Sequence, residues 1–256
     1  MLLRSLGSGV SGLKNFQTDL DVIGNNISNV DTYGYKKGRI NFEDMFNQQV
    51  QGAQANRNAI QVGLGSTTGS IDNIVTGGTV NPTGNPYDLA INGEGYFQVS
   101  NGTNTFYTRA GDFKLNSNRQ LVNAQGMTLV GASNFPQNLQ SFTVNSDGTI
   151  TGVLTNGTTQ GLGTVNLVTF SNPAGLEKAG NSLYRQTAAS GVPVTLTNTT
   201  GMGTSTTIQQ NALEGSNVDL TDEMTNLIEA QRAYQANAKT ITTADQVLQT
   251  LVNLKQ

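Results

Sequence analysis

The chain has 256 residues, 36% hydrophobic and 12% charged, with a net charge of −3, 30 glycines and no tryptophan. That length supports one large domain or two small ones, but its apolar content is low for a globular chain, so part of it is expected to gain stability from a partner. The charge balance lacks the clustered basic face of a nucleic-acid binder, and the absence of cysteine and histidine excludes disulfides, thiolate nucleophiles, Cys/His zinc sites and imidazole bases.

From Leu2 to Val30 apolar residues recur every seven positions. One row is Leu6, Leu13, Leu20 and Ile27; a second is Leu2, Phe16, Ile23 and Val30, with Gly9 completing the spacing. Two adjacent rows at this period make a narrow stripe on one helix, as in a coiled-coil seam. No run of about 18 apolar residues occurs, so no membrane-spanning helix and no direct membrane insertion are expected. Leu2, Leu3 and Leu6 are interrupted by Arg4, Ser5 and Gly7 and do not make the apolar region of a signal peptide. Gly7-Ser8-Gly9-Val10-Ser11-Gly12 fits a dinucleotide fingerprint in letters only, because that motif needs a preceding strand. The glycines are read as small residues for close helix packing.

Residues 31–80 are rich in Gly, Asn, Thr and Gln and read as an extended linking arm, with one short helix at Phe42–Gln48. Lys36, Lys37 and Arg39 form a basic run read as a solvated turn or a contact with an acidic neighbour. Residues 81–217 form a β-rich unit with a return segment. Within it the period falls to two, and Asn92-Gly93, Asn101-Gly102, Asp147-Gly148 and Asn156-Gly157 are type I′ hairpin signals. Expected strands are Leu89–Ile91, Tyr96–Val99, Phe106–Arg109, Phe113–Leu115, Phe142–Val144, Thr149–Val153, Val165–Phe170 and Leu183–Arg185, over a core of Phe97, Phe106, Phe113, Leu121, Leu129, Phe142 and Phe170.

At the C-terminus Leu220, Leu227, Tyr234, Ile241 and Leu248 are again seven apart, flanked by Met224, Ala238 and Val252. Asp219 can cap a helix from about Leu220 to about Leu254, with Asp222 and Glu223 in the first turn and Lys255 at the opposite pole. The fold class is therefore α+β: heptad helices over 1–30 and 218–256, and a central antiparallel β domain. The two helices can pair as an ordinary hairpin. Each stripe is thin, however, and a lone pair gains little at roughly 25 cal/mol per Å² against chain entropy. The helices are thus expected to need neighbours from other subunits, with Leu6, Leu13, Phe16, Leu20, Ile23, Ile27, Leu220, Leu227, Tyr234, Ile241 and Leu248 as the subunit interface. The acid pairs Glu43/Asp44 and Asp222/Glu223 do not converge, since helix neighbours point about 100° apart. No catalytic residue, cofactor or metal ligand is expected.

Leu20-Asp-Val-Ile-Gly-Asn-Asn-Ile-Ser-Asn-Val30 with Thr32-Tyr-Gly-Tyr-Lys36 resembles the N-terminal signature of flagellar rod and hook proteins. Ser216-Asn-Val-Asp-Leu-Thr-Asp-Glu223 with Ala230-Gln-Arg-Ala-Tyr-Gln-Ala-Asn-Ala-Lys239 is similar to their C-terminal signature, and Asn92-Gly-Glu-Gly-Tyr-Phe97 and Phe106-Tyr-Thr-Arg-Ala-Gly111 to motifs of their β domain. Asn118–Met127 and Gln246–Lys255 look more like the hook branch, while the length, with a single β domain, fits the distal rod as well. The resemblance implies a structural subunit, not an enzyme, that polymerises into the flexible hook and passes torque; the alternative is the distal rod. It implies an inner coiled-coil layer around a channel, and partners that are copies of itself, rod and hook-junction proteins, a hook cap and the flagellar export apparatus, without nucleic acid. It implies a place in the extracellular flagellum, reached without a cleaved signal. On the residues alone, a secreted β-rich binding module and a glycan-active enzyme stay open. The latter would need two convergent carboxylates from acids such as Glu94, Asp112, Asp147 and Glu177.

Overall fold

The structure, a computed structural model, describes residues 2–52, 59–196 and 205–254. Lys255, expected at the C-terminal pole, lies outside the described residues. The chain divides into two compact units: residues 1–28, 38–72 and 219–256 form a helical unit, and residues 29–37 and 73–218 a β unit.

In the helical unit, α1 (Leu2–Ser28) packs on α2 (Leu220–Asn253). Asp219 caps α2, its carboxylate accepting from the backbone N–H of Thr221 and Asp222, which satisfies donors the first turn leaves orphaned. Gly9 and Gly12 set the helix contact. A Cβ on Gly9 would lie 3.1 Å from the Ile241 side chain, and one on Gly12 3.0 Å from the Asn237 side chain, so a larger residue at either position requires the facing side chain to shift by a few tenths of an ångström.

The stretch 31–80, expected as one arm, divides between the units. No helix forms at Phe42–Gln48. Strand Gly38–Asp44 pairs with Ser66–Asn73, and Asn47–Gln51 pairs antiparallel with Ile60–Gly63. The segment Ile40-Asn41-Phe42 alternates, and the Phe42 ring meets Phe16 of α1 at 5.8 Å. This tertiary contact, together with the partner strand, overrides the weak helical pattern.

The β unit centres on a nine-stranded antiparallel sheet, in which Tyr96–Ser100 pairs with Thr105–Thr108 on one side and with Thr128–Leu129 and Leu167–Thr169 on the other. A three-stranded meander, 139–144, 149–154 and 159–164, lies beside it. Two chain-distant pairs, Leu89–Asn92 with Thr207–Gln210 and Val80–Pro82 with Ala212–Glu214, tie the start of the unit to its end. Both faces of the large sheet are buried, as period-two alternation allows. Phe97, Val99 and Leu167 enter the main core with Phe113, Ile150 and Leu162. Their strand neighbours Tyr96, Tyr107, Val168 and Tyr184 form a second, tyrosine-rich core with Phe170. Phe97, Phe113, Leu121 and Leu129 are buried as expected; Phe106 and Phe142 are only partly buried against the main core, and Phe170 belongs to the second.

The turns also differ from expectation. Asp147 and Asn156 keep negative φ, while Gly148 and Gly157 are positive, so these hairpins are not type I′. At 145–149 a turn closed by Gly148 N–H on the Asn145 carbonyl ends on the left-handed glycine. Asn92-Gly93 makes no hairpin, because the strand before it pairs with Thr207–Gln210 instead.

Candidate assembly surface

Within the helical unit, the eleven seam residues do not share one environment. Ile23 is buried; Leu6, Leu13, Phe16, Leu20, Ile27, Leu227, Ile241 and Leu248 are half-buried; Leu220 and Tyr234 are exposed. A strict seven-residue row drifts about 20° per heptad on a straight helix, so the row beginning at Leu220 winds toward α1 by Leu248. The buried face of α2 carries Glu223, Ala230 and Ala244 instead. Large apolar side chains remain open: Leu220, Met224, Ile228, Tyr234, Val247, Leu251, Val252 and Leu254 on α2, and Phe42, Met45, Phe46, Val50, Val62, Leu64 and Ile71 on the hairpin, with Phe46 90% exposed. Single exposed apolar residues need no explanation, but runs of this kind mark surfaces that another molecule covers.

A polar clamp fixes the helical unit. Asn26, on α1, is buried; its Oδ1 accepts from Gly38 N–H at 2.9 Å, and its Nδ2 donates to the Gly38 carbonyl at 2.9 Å and to Glu223 Oε2 at 3.1 Å. One amide thereby continues the hairpin's backbone pairing and ties α1 to the first turn of α2. Burial, with the Glu223 charge adding to it, pushes the nearby Asp19 carboxyl up. Asn15, also buried, donates to Ser66 Oγ at 2.8 Å.

The β unit has a charged centre of its own. Lys36 is fully buried, which corrects its reading as a solvated turn: its Nζ lies 2.6 Å from Glu214 Oε1 and donates to the Thr76 carbonyl at 2.8 Å. Arg109, equally buried, donates from Nη1 to Glu214 Oε2 at 3.1 Å and from Nη2 to the Gly93 carbonyl, with its guanidinium over the Tyr96 ring. Gly78 N–H also donates to Glu214 Oε1. Burial lowers the Lys36 pKa, an effect the Glu214 carboxylate opposes. Nearby, Asn217 accepts from Lys37 N–H and donates to the carbonyls of Ile74 and Thr76. Gly34, at φ +68°, brings the chain against Ala110, where a Cβ would lie 2.4 Å from the Ala110 nitrogen. Sequence reading missed Asn26, Asn217 and Glu214. Asn26 and Asn217 lie within the family motifs Leu20–Val30 and Ser216–Glu223, but their roles are not legible locally, because their partners lie up to 197 residues away.

The acids weighed for glycan chemistry do not assemble. Asp112 has its carboxyl pushed up, chiefly by burial, and shares an open cleft of about 310 Å³ with Asp31, Tyr33 and Asn123. Asp88 is held in a turn by Thr83 and Asn85.

Family profiles match three segments: a flagellar basal body rod protein profile over 6–36, a flagellar hook protein FlgE/F/G D1 domain profile over 90–152, and a flagellar basal body rod FlgEFG protein C-terminal profile over 209–254. A flagellar basal-body rod protein FlgG of Bacillus subtilis is 47% identical over 265 positions, covering 100% of both chains. The chain belongs to the flagellar rod and hook family. The FlgG rod protein of Agrobacterium fabrum is 40% identical, over 96% of this chain and 97% of its own. The flagellar hook protein FlgE of Borreliella burgdorferi is 28% identical over 444 positions, covering 99% of this chain and 100% of its own. The solved Helicobacter pylori hook protein FlgE2 matches 72% of this chain and 42% of its own at 16% identity, with a TM-score of 0.27, too low to bear on the fold. As a member of the rod and hook family the chain is a structural protein of the flagellar rod or hook, and not an enzyme. Lys36, Arg109 and Glu214 fall one in each of the three matched segments. The family motifs Thr32–Lys36 and Phe106–Gly111 thus include two members of a buried ion cluster.

Proposed function

We propose that the chain is a subunit of the distal rod, polymerising with copies of itself into a tube that carries torque outward through the basal body. Alignment length carries the choice of rod over hook. The Bacillus subtilis rod relative aligns over 265 positions, near the chain's own 256 residues, whereas the hook relative needs 444, or 188 more (444 − 256). A hook subunit of that kind carries a large segment this chain lacks. The hook reading keeps the support of Asn118–Met127 and Gln246–Lys255 as motifs.

In this reading residues 1–30 and 218–256 form an inner coiled-coil layer around a channel, 31–80 links, and 81–217 faces outward. The eleven seam residues and the open apolar side chains of α2 and the hairpin are covered by neighbouring copies. The isolated hairpin argues the same way: two strands alone are marginal in water, and this pair has almost every side chain of Asn47–Gln51 exposed. Adjoining rod and hook-junction proteins, a cap, and an export apparatus that passes the unfolded chain complete the setting. Electron microscopy of tubes grown from purified chain tests the assignment. Straight tubes are expected of a rod and curved ones of a hook; a chain that forms no tube at any concentration sinks both.

A further inference from the structure

The cleft beside Asp112 lies wholly within the β unit and holds about 310 Å³, at the lower end of the range for small-molecule sites. Asn123, in its wall, is 6% exposed. The Asn123 Oδ1 accepts from the backbone N–H of Gln125 at 3.1 Å and of Met127 at 2.9 Å. Those two bonds fix the amide and leave its Nδ2 open to the cleft, with no acceptor among the described residues. Asp112 is half-buried, and among the described residues its carboxylate meets no hydrogen-bond donor but its own backbone N–H. Tyr33, 43% exposed, adds an aromatic ring to the lining. Asn181 joins from a two-residue turn in which both Asn181, at φ +53°, and Ser182, at φ +58°, are left-handed. That conformation is uncommon outside glycine, and such strain collects at ligand sites. Here Thr108 Oγ1 steadies it by donating to the Ser182 carbonyl at 2.9 Å.

The donors and acceptors select the ligand. An anion would face the carboxylates of Asp31 and Asp112, which both line the cleft. A cation would suit them but leaves the Asn123 Nδ2, which can only donate, without an acceptor. A hydroxyl group donates to a carboxylate and accepts from an amide at once, and an aromatic ring beside such groups offers an apolar face. We propose that this cleft binds a neutral saccharide, one sugar ring held by hydrogen bonds to Asp112, Asn123 and Asn181 and packed on Tyr33. The site binds and does no chemistry, and it does not depend on how copies assemble. One ring in so small a cleft is held weakly, with a dissociation constant on the order of 1 mM.

The test titrates dilute full-length chain with glucose, N-acetylglucosamine, cellotriose and chitotriose while its amide NMR signals are followed. At least one of the four should shift signals around Tyr33, Asn123 and Asn181 in a saturable way. Asn123→Asp keeps an oxygen for the Gln125 and Met127 N–H groups but turns the free donor into an acceptor, so it should weaken the sugar about five-fold or more at unchanged circular dichroism. Tyr33→Ala, at an exposed position, should weaken it as much, and it serves even where Asn123→Asp melts early. No shift from any of the four sugars at roughly 50 mM, well past the expected affinity, overturns the proposal. So do shifts that lie elsewhere, and binding that both variants leave intact. Saturable shifts at these residues from calcium or arginine, tighter than from any sugar and strengthened by Asn123→Asp, would mark a cation site and overturn it too.

Discussion

Glu214→Gln is the sharpest perturbation of the β unit. The amide keeps the shape of the carboxylate and can still accept from Gly78 N–H, but it removes the negative charge that faces both Lys36, at 2.6 Å, and Arg109, at 3.1 Å. Taking one partner from a buried pair costs about 3–5 kcal/mol, because the other charge is left in a poor solvent. Here a single substitution strands two cations that also repel each other, so a loss of about 5 kcal/mol is expected. That is a large share of the roughly 5–15 kcal/mol that holds a domain together. At about 2–4 °C per kcal/mol for a unit of this size, melting should fall by roughly 10–20 °C. Denaturation followed through the near-ultraviolet signal of the tyrosine core reads the β unit directly. A pH series adds a second check. Lys36 is already depressed in the folded state, chiefly by burial, so the unfolded chain binds its proton more tightly. Stability therefore rises as pH climbs from the folded value toward the ordinary 10.5. Without Glu214 that depression deepens, so the gap between variant and parent should narrow as pH rises from 7 to 9. A Glu214→Gln chain within 1 kcal/mol of the parent would refute the claim that the triad holds the unit's base. Replacing all three charges by Met or Leu of similar volume should be far milder than Glu214→Gln, since the desolvation cost goes with them.

Three further outcomes follow from the same contacts. Burial raises Tyr96 to about 12 and raises Tyr184 further; folding thus favours the protonated phenols, their stabilisation is complete below pH 10 and is lost above it, and Tyr96 alone should cost about 3 kcal/mol between pH 10 and 12, seen as tyrosinate absorbance rising together with unfolding. Asn26→Ala removes three hydrogen bonds from buried groups and should cost about 3 kcal/mol, speeding amide exchange in 38–44 and the first turn of α2 while leaving the tyrosine core unchanged. Asp219→Ala should cost about 1 kcal/mol and fray the start of α2; unchanged exchange at Thr221 and Asp222 would count against the cap.

The legibility of this fold follows the range of the interactions that make it. Both helices could be read because heptad spacing and the Asp219 cap are local, and the ends fall at Ser28 and Asn253 against expected ends at Val30 and Leu254. Strands with one or two strongly buried faces, such as Tyr96–Ser100 and Thr149–Leu154, announced themselves by alternation. The two-residue strands Lys114–Leu115, Leu121–Val122 and Thr128–Leu129 are too short to carry a period. The hairpin over 38–73 shows little alternation because its side chains are mostly exposed on both faces. Lys36 and Glu214 are 178 residues apart, and a local reading sees only a basic run and an isolated acid. The seam residues were legible as a set of apolar positions, but the side each one faces depends in part on the drift of the helix, which leaves Leu220 at the open end of its row.

In the proposed tube the helices hold copies together, and a single charge placed in the seam tests that role. Leu227, half-buried on α2, is replaced by Asp, and parent and variant are sedimented side by side over a concentration series. A buried unpaired charge repeated in every copy costs several kcal/mol per contact. The parent is predicted to shift cooperatively from monomer to large polymer, while Leu227→Asp stays monomeric with the β unit's circular dichroism unchanged. Equal polymerisation of the two chains, or a parent that stays monomeric throughout, would contradict it.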